Sequence, residues 1–162
     1  MRATVLRKSY PAQSGAVGRI RREVAEIAAA LARAEEVVDH VRLAVSEAAT
    51  NVVRHAYADG RGEIHVTVSL PEEGVLAVIV ADDGDWLTQP RHSSGLGLGL
   101  LLMRDCADGF HVERTGSGGV GVHMSFLLDG SRTAIPSRAE RAALPMWISA
   151  AGRQGAPLSD GP

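Results

Sequence analysis

Apolar residues in the first third of the chain recur at spacings of three and four, which is the period of an amphipathic helix. A first helix is expected directly after Ser14, whose hydroxyl suits an N-cap. Its apolar stripe is Val17, Ile20, Val24, Ile27 and Leu31. A second helix is expected from near Glu35 to about Ala56. Its stripe is Val38, Val41, Val45, Ala48 and Val52.

Shorter apolar segments between turn residues predict strands. The predicted strands are Ala3 to Ser9 (at a sheet edge), Glu63 to Leu70, Val75 to Ala81, His111 to Arg114 and Val120 to Leu128. Pro71-Glu72-Glu73-Gly74 is expected to turn the first hairpin, and a third helix is expected from about Leu98 to Ala107. This order of elements favours an α/β fold, a two-layer α/β sandwich. Its sheet would be mixed but mostly antiparallel, with three helices on one face, rather than doubly wound and parallel.

The composition changes near Asp129. Beyond it Gly, Pro, Ser, Ala and Arg predominate, and Ser137 to Leu144 is the only candidate for a short helix. Because 162 residues suit one domain with its own core, we expect a domain over residues 1–129 and a low-order C-terminal tail over 130–162. Almost no apolar side chains follow Gly152, so that segment is expected to be disordered.

Charge and composition narrow the functional classes. The formal net charge of −2 provides no basic field for nucleic acid or for a membrane surface. A single cysteine, Cys106, rules out an internal disulfide and fits a reducing compartment. No apolar run has the length of a membrane span, and the N-terminus lacks the apolar stretch of a secretory signal. We therefore expect a cytoplasmic domain that binds neither nucleic acid nor membrane.

The second helix carries a first candidate site. Glu47 and Asn51 lie four residues apart and therefore share a face, with His55 one turn further on. That face is separate from the apolar stripe. A carboxylate beside an amide oxygen suits a divalent metal and a hydroxyl held near a phosphate. The alternative is an ordinary solvated helix face.

A second candidate follows the strand that ends at Ala81. An aspartate at a strand end, Asp82, can accept a hydrogen bond from an exocyclic amine, and Gly84 would let a planar ring approach the backbone. The alternative is an acidic turn. Asp83 and Asp85 are interpreted as solvated residues of that turn.

A third candidate is the segment in which Gly95, Gly97 and Gly99 alternate with leucines, including Leu98, before the third helix. A helix start offers free N–H groups and the positive end of the helix dipole, and glycines let phosphate come close. The leucines can anchor the turn to the core. The spacing is not that of a dinucleotide fingerprint, and the segment lacks the lysine of a P-loop.

Together the three motifs resemble those of a known protein family. Glu47-x-x-x-Asn51, Asp82-x-Gly84 and Gly95-x-Gly97-Leu98-Gly99 resemble, in order and spacing, the N, G1 and G2 boxes of the Bergerat ATPase superfamily of gyrase, histidine kinases and MutL. The longer strings LAVSEAATNVVRHAY and GLGLLLMRDCADGFHV are similar to those of the bacterial anti-sigma-factor serine kinases. The resemblance covers about Ala3 to Phe126.

The resemblance implies a role for each matching residue. Asn51 would coordinate Mg²⁺, and Glu47 would be the general base for phosphoryl transfer from ATP. Asp82 would bind the adenine amine, with Gly84 beside the ring. The phosphate-binding turn would comprise Gly95, Gly97, Leu98 and Gly99.

The implied function is an ATP-dependent serine/threonine protein kinase that acts as an anti-sigma factor. It would phosphorylate a STAS-domain antagonist and sequester a sigma factor, with a homodimer among the assemblies left open. The alternative is an ATP-binding module that sequesters a partner without phosphorylating it. Glu47 favours the kinase. Trp86, the short loop from Leu87 to Ser94, and Val120, at the place of a common family threonine, favour the module.

Overall fold

The structure is a computed structural model that describes residues 3–57, 59–84 and 96–131. Eight elements follow one another along these residues. In chain order they are β1 (Ala3–Pro11), α1 (Ser14–Leu31), α2 (Glu35–His55), β2 (Glu63–Glu72), β3 (Val75–Ala81), α3 (Leu96–Cys106), β4 (Gly109–Arg114) and β5 (Val120–Leu127). Neither α1 nor α2, nor the described part of α3, is long and apolar enough to cross a membrane.

The five strands form one sheet in the order β1-β2-β3-β5-β4, with β1 at an edge as expected. Every neighbouring pair is antiparallel. The α/β sandwich is thus confirmed, while the sheet has no parallel pair among these strands. The reason lies in the connections. β2 with β3 and β4 with β5 are hairpins, and the two successive helices between β1 and β2 return the chain in the opposite direction.

Strand residues alternate between two environments, as the pleat of a sheet requires. One set is buried under the helices: Ile64, Val66, Val68, Leu76, Val78, Val80, Val122, Met124 and Phe126. Neighbouring positions on the other face, such as His65, Thr67 and Ile79, are only half-buried. The core therefore lies between the sheet and the helices, and its burial supplies the main stabilisation.

Helix α2 is the central helix, in contact with α1, α3, β3 and β5. All five residues of its expected stripe are buried. The stripe expected for α1 is only partly right: Ile20 and Val24 are fully buried, but Leu31 is 38% exposed. Alanines complete the buried face of α1, namely Ala16, Ala25 and Ala28. Small side chains let two helices approach closely, which a search for large apolar residues overlooks.

Several boundaries differ from the sequence prediction. Gln13, not Ser14, occupies the N-cap of α1, and no side chain caps that helix. β2 continues through Pro71 to Glu72, which leaves Glu73-Gly74 as a two-residue turn in which Gly74 has a φ of +77°. Such a turn needs a residue that tolerates positive φ, which explains the glycine. α3 already includes Leu96, and β4 begins at Gly109.

Candidate active site

Asn51 and Asp82 line the same cavity, as predicted from their motifs. Asn51 extends from α2 and is only 8% exposed. The helix face that carries Asn51 is therefore buried at this residue rather than solvated. A polar side chain is rarely buried without a hydrogen-bonding task, which disfavours the interpretation as a solvated face.

The cavity lies between α2, the start of α3 and the sheet. Its other lining residues are Ala48, Val52, Val80, Leu100, Val112, Val120 and Val122. Apolar walls with a carboxylate and an amide suit a flat heterocycle with one polar edge. The volume is about 140 Å³, below the roughly 300 Å³ at which pockets enclose a drug-sized ligand. The described walls could thus enclose a ring but not an entire nucleotide.

Asp82 stands at the end of β3 and is 1% exposed. Its backbone N–H donates to the carbonyl of Val120 (3.0 Å), so it continues the pairing of β3 with β5. Its Oδ1 accepts the N–H of Gly84 at 2.9 Å, and the N–H of Val120 lies 3.4 Å away. The carboxylate is therefore held in a fixed orientation at the cavity wall. A fixed acceptor at this point can discriminate in favour of a ring that carries an amine.

Gly84 is buried against the end of α2, a contact that its sequence motif did not predict. A Cβ atom built on Gly84 would overlap the backbone carbonyl of Ala56, at the C-terminus of α2. The glycine is thus required because the turn after β3 touches the end of α2. This contact brings the Asp82 motif and the Asn51 motif together.

The start of α3 touches α2 through Gly99. A Cβ on Gly99 would lie 3.1 Å from Glu47 Oε2 and 3.6 Å from Asn51 Nδ2. Glu47 is half-buried, one turn before Asn51, and is not itself among the residues that line the cavity. Gly99 of the glycine segment thus lies beside the carboxylate of Glu47 and the amide of Asn51.

Of the glycine segment, the described residues Gly97, Leu98 and Gly99 are not among those that line the cavity, whereas the following Leu100 is. Leu98 is 76% exposed, so it does not anchor the turn to the core as expected, and Leu100 is the leucine that packs inward. Gly97 is the second residue of α3. Gly95, Asp85, Trp86 and the segment from Leu87 to Ser94 lie outside the described residues.

His55 follows Asn51 by one turn and is half-buried at the end of α2. Burial lowers the pKa of its imidazole, and the neighbouring Arg54 lowers it further. A lowered pKa keeps the ring neutral at physiological pH. His55 is not among the residues that line the cavity.

Asp83 was interpreted as a solvated turn residue, and it is exposed, but its side chain also makes specific contacts that the sequence did not predict. Its carboxylate accepts hydrogen bonds from the Ser117 hydroxyl and from His65 Nε2, the latter at 2.6 Å. These two bonds, first that of Ser117, lower the pKa of the Asp83 carboxyl. Ser117 and His65 are far from Asp83 in sequence, so only the sheet register reveals the cluster.

A larger cavity, of about 350 Å³, lies on the face of the sheet away from the helices. Thr4, Ser69, Ile79 and His123 are among its lining residues, and none of the predicted site residues is. It contains neither a buried carboxylate nor a glycine-lined helix start. Within residues 3–57, 59–84 and 96–131, no three His, Cys, Asp or Glu side chains are grouped to hold a metal ion. The smaller cavity at Asn51 and Asp82 is therefore the candidate active site.

Comparison with known proteins shows the family to which the chain is similar. The family described as histidine kinase-like ATPase domain matches residues 10–126. The serine-protein kinase RsbW of Bacillus subtilis strain 168 is 34% identical over 146 residues, covering 80% of this chain and 89% of the relative. RsbW of Bacillus cereus strain Q1 is 38% identical over 117 residues, covering 63% of this chain and 72% of the relative.

A solved structure supports the fold. The crystal structure of the RsbU and RsbW domains of Rv1364c from Mycobacterium tuberculosis aligns with a TM-score of 0.59. It covers 76% of this chain and 33% of that chain, at 22% sequence identity. At that identity the likeness concerns the fold alone.

Proposed function

This chain belongs to the histidine kinase-like ATPase domain family, among its serine-protein kinases that use ATP, and we propose that it phosphorylates a STAS-domain antagonist and sequesters a sigma factor. In this proposal the phosphoryl acceptor is a serine or threonine hydroxyl of the antagonist. The kinase acts in the cytoplasm and needs neither nucleic acid nor membrane.

One observation carries the assignment of the catalytic centre. Gly99 lies against both Glu47 and Asn51, with the Cβ position 3.1 Å from Glu47 Oε2. A carboxylate, an amide and the first turn of a helix thereby meet at one point, and the amide of Asn51 also lines the cavity. Helix starts attract phosphate through free N–H groups and the positive end of the dipole. The meeting point supports phosphoryl transfer between ATP and a hydroxyl held by Glu47.

The nucleotide is proposed to enter the cavity with its adenine ring. The carboxylate of Asp82 accepts the hydrogen bond of the exocyclic amine, and Gly84 lies beside the ring. The phosphates extend along Gly95 and the first turn of α3, at Gly97, Leu98 and Gly99. Leu98 would contribute its backbone N–H only, because its side chain is 76% exposed.

The donor set of the site fits Mg²⁺. Asn51 offers an amide oxygen at the cavity, and Mg²⁺ prefers hard oxygen ligands together with phosphate oxygens. When bound, the ion would neutralise charge on the phosphates. Its proposed protein ligand is Asn51.

Glu47 is proposed to be the general base. As the acceptor hydroxyl attacks the γ-phosphorus, Glu47 takes the hydroxyl proton, the bond from phosphorus to the bridging oxygen of the β-phosphate breaks, and ADP leaves. Glu47 suits this role because it is half-buried rather than enclosed. A hydroxyl of a second protein can therefore reach it, while Gly99 restricts its position.

The alternative function is an ATP-binding module that sequesters a partner without phosphorylation. Val120 supports it, since this residue offers Asp82 only backbone groups. A hydroxyl-bearing side chain there would add a hydrogen-bonding group for the ring.

The test is to incubate the full chain with γ-labelled ATP, Mg²⁺ and a panel of STAS proteins from the same genome. The kinase proposal expects label on a serine or threonine of one panel member, with loss of label when that residue is alanine. Nucleotide binding without phosphoryl transfer to any member would contradict the kinase proposal and support the ATP-binding module. A pull-down of sigma factors on the same preparation tests sequestration separately.

A further inference from the structure

Asp83 lies between the two predicted nucleotide-binding residues Asp82 and Gly84, and its side chain points to the other face of the sheet. The carboxylate is 53% exposed, yet both of its oxygens are engaged. Oδ1 accepts the hydroxyl of Ser117, and Oδ2 pairs with His65 Nε2 at 2.6 Å. An ionised carboxylate can only accept hydrogen bonds, so Nε2 of His65 carries the proton.

The His65 ring is itself held from the other side. Ser9 Oγ lies 2.8 Å from His65 Nδ1, and in a neutral ring with a protonated Nε2 the hydroxyl donates to Nδ1. Ser9 and His65 are opposite each other in the register of β1 and β2. The network therefore extends from the turn after β3 across β2 to the edge strand.

The backbone of Asp83 has a third partner. Its N–H donates to the hydroxyl oxygen of Tyr57 at 3.0 Å, and that hydroxyl donates to the carbonyl of Glu63 at 2.7 Å. Tyr57 follows the end of α2. One residue thus joins α2, β2 and the turn between β4 and β5.

Two of these segments, the end of α2 and the turn between β4 and β5, also contact the neighbours of Asp83. A Cβ on Gly119 would overlap the carbonyl group of Asp82, and Thr115 Oγ1 donates to that carbonyl oxygen at 3.3 Å. On the other side, Gly84 has no room for a Cβ because of Ala56. The turn is thus enclosed on both sides. The side chain of Asp83 links it to Ser117 and His65 by hydrogen bonds.

We infer that Asp83 is a positioning residue, which fixes the orientation of the Asp82 carboxylate for adenine recognition by linking the turn to Ser117 and His65. The inference rests on the proposed function and deepens it. Asp83 itself faces away from the cavity and touches no nucleotide. A directional hydrogen bond to the ring weakens when its acceptor moves by a fraction of an ångström, so loss of the links lowers affinity rather than the rate of transfer.

The test compares the full chain with Asp83→Ala in nucleotide binding and in turnover. Asp83→Ala should raise the Kd for ATP, ADP and adenosine about tenfold, as expected for the loss of one good hydrogen bond to a charged group. The kcat at saturating ATP should stay within about twofold of wild type, because Glu47 is unaffected. Asp129→Ala is the matched control. It removes another exposed turn aspartate, one that accepts bonds from Ser131, and should leave every Kd unchanged.

A second pair of variants separates positioning from folding. Ser117→Ala removes one link from the opposite side and should raise the same Kd values by a few-fold. The double variant with Asp83→Ala should bind no more weakly than Asp83→Ala alone, because both act through one link. Additive losses in the double variant, or a Kd of Asp83→Ala within twofold of wild type, would overturn the inference. So would a fall in kcat with an unchanged Kd.

The outcomes also distinguish this inference from the proposed function. If wild type binds no ATP, both fail. If wild type binds ATP and Asp83→Ala binds it equally well, only the positioning role fails. If Asp83→Ala does not fold, the Kd values of Asp83→Asn and Ser117→Ala are compared with those of wild type instead. The asparagine keeps the shape and one acceptor oxygen, and an intermediate Kd is expected.

Discussion

Gly99 of α3 is packed against Glu47 of α2, so closely that a methyl group on the glycine would stand 3.1 Å from Glu47 Oε2. This separation is tighter than an ordinary contact between a methyl group and an oxygen. The carboxylate can move, however, because it is the end of a flexible side chain. The glycine therefore determines where the proposed base rests, and its replacement should affect chemistry before it affects folding.

Gly99→Ala should separate stability from activity. Alanine is favoured over glycine inside a helix by about 1 kcal/mol, so the free energy of unfolding should not fall. The added methyl should displace Glu47 and lower the rate of phosphoryl transfer roughly tenfold or more. Urea unfolding and a phosphorylation assay on the same preparations measure both quantities.

The matched control for this variant is Gly18→Ala in α1. No atom lies within 4 Å of the added methyl group there, so the variant gains helix propensity alone. It should be at least as stable as wild type and fully active. Equal activity of Gly99→Ala and Gly18→Ala would show that Gly99 does not restrict Glu47.

Gly84→Ala should be destabilising, because its methyl group would overlap the backbone carbonyl of Ala56, which cannot move without α2. Overpacking of this kind costs about 1–3 kcal/mol. ATP binding should weaken as well, since the turn carries Asp82. Gly116→Ala, also in a turn but with open space around it, is the control and should be neutral. A Gly84→Ala protein as stable as the control would contradict the described contact with Ala56.

Glu23 should contribute stability that depends on pH. Hydrogen bonds from Lys8 and from the buried Tyr10 lower the pKa of its carboxyl below the ordinary value of 4.5. A lowered folded-state pKa stabilises the fold above pH 4.5, and this contribution disappears as the pH falls through the folded-state pKa. The difference in free energy of unfolding between wild type and Glu23→Gln should therefore be present at pH 7 and be smaller at pH 2. Lys8→Met should reduce it. A difference that is the same at both pH values would contradict this assignment.

The domain boundary near Asp129 remains a prediction. Leu128 is the last buried residue described: its N–H donates to Gly74 and its carbonyl accepts from Arg33. Residues 132–162 lie outside the described part of the chain. A chain that ends at Gly152 should unfold at the temperature of the full chain, because few apolar residues are removed. A clear drop in that temperature would place the boundary later.

Hydrophobic periodicity and turn residues were enough to predict the helices and most strands. Helix α2 has one continuous buried stripe, and the hairpins have clear turn residues. Periodicity was less successful for α1, where alanines rather than Leu31 complete the interface. It predicted a mostly antiparallel sheet but not that every neighbouring pair is antiparallel, because the sheet order depends on contacts between distant segments. Local patterns do not encode such contacts.

The motifs predicted that Asn51 and Asp82 share a pocket, but not that Asn51 is buried. Its side chain is covered by α3, whose Gly99 lies against it. The role of Asp83 had no local signal at all. Ser117 and His65 reach it only after β2, β3 and the turn between β4 and β5 have come together. The sequence also did not predict the exposure of Leu98. Its glycine neighbours give no hydrophobic pattern from which the buried face of α3 could be inferred.

We propose that Glu47 acts in the chemical step, whereas Asn51 also holds the nucleotide. The most direct measurement is a paired one, ATP titration and phosphoryl transfer to the cognate STAS partner, on wild type, Glu47→Ala and Asn51→Ala. Glu47→Ala should lower transfer roughly a hundredfold or more and keep the Kd for Mg·ATP within a few-fold. Asn51→Ala should stay folded but bind Mg·ATP more weakly. If Asn51→Ala binds Mg·ATP as tightly as wild type, or Glu47→Ala transfers phosphate at the wild-type rate, the assignment of the site is wrong.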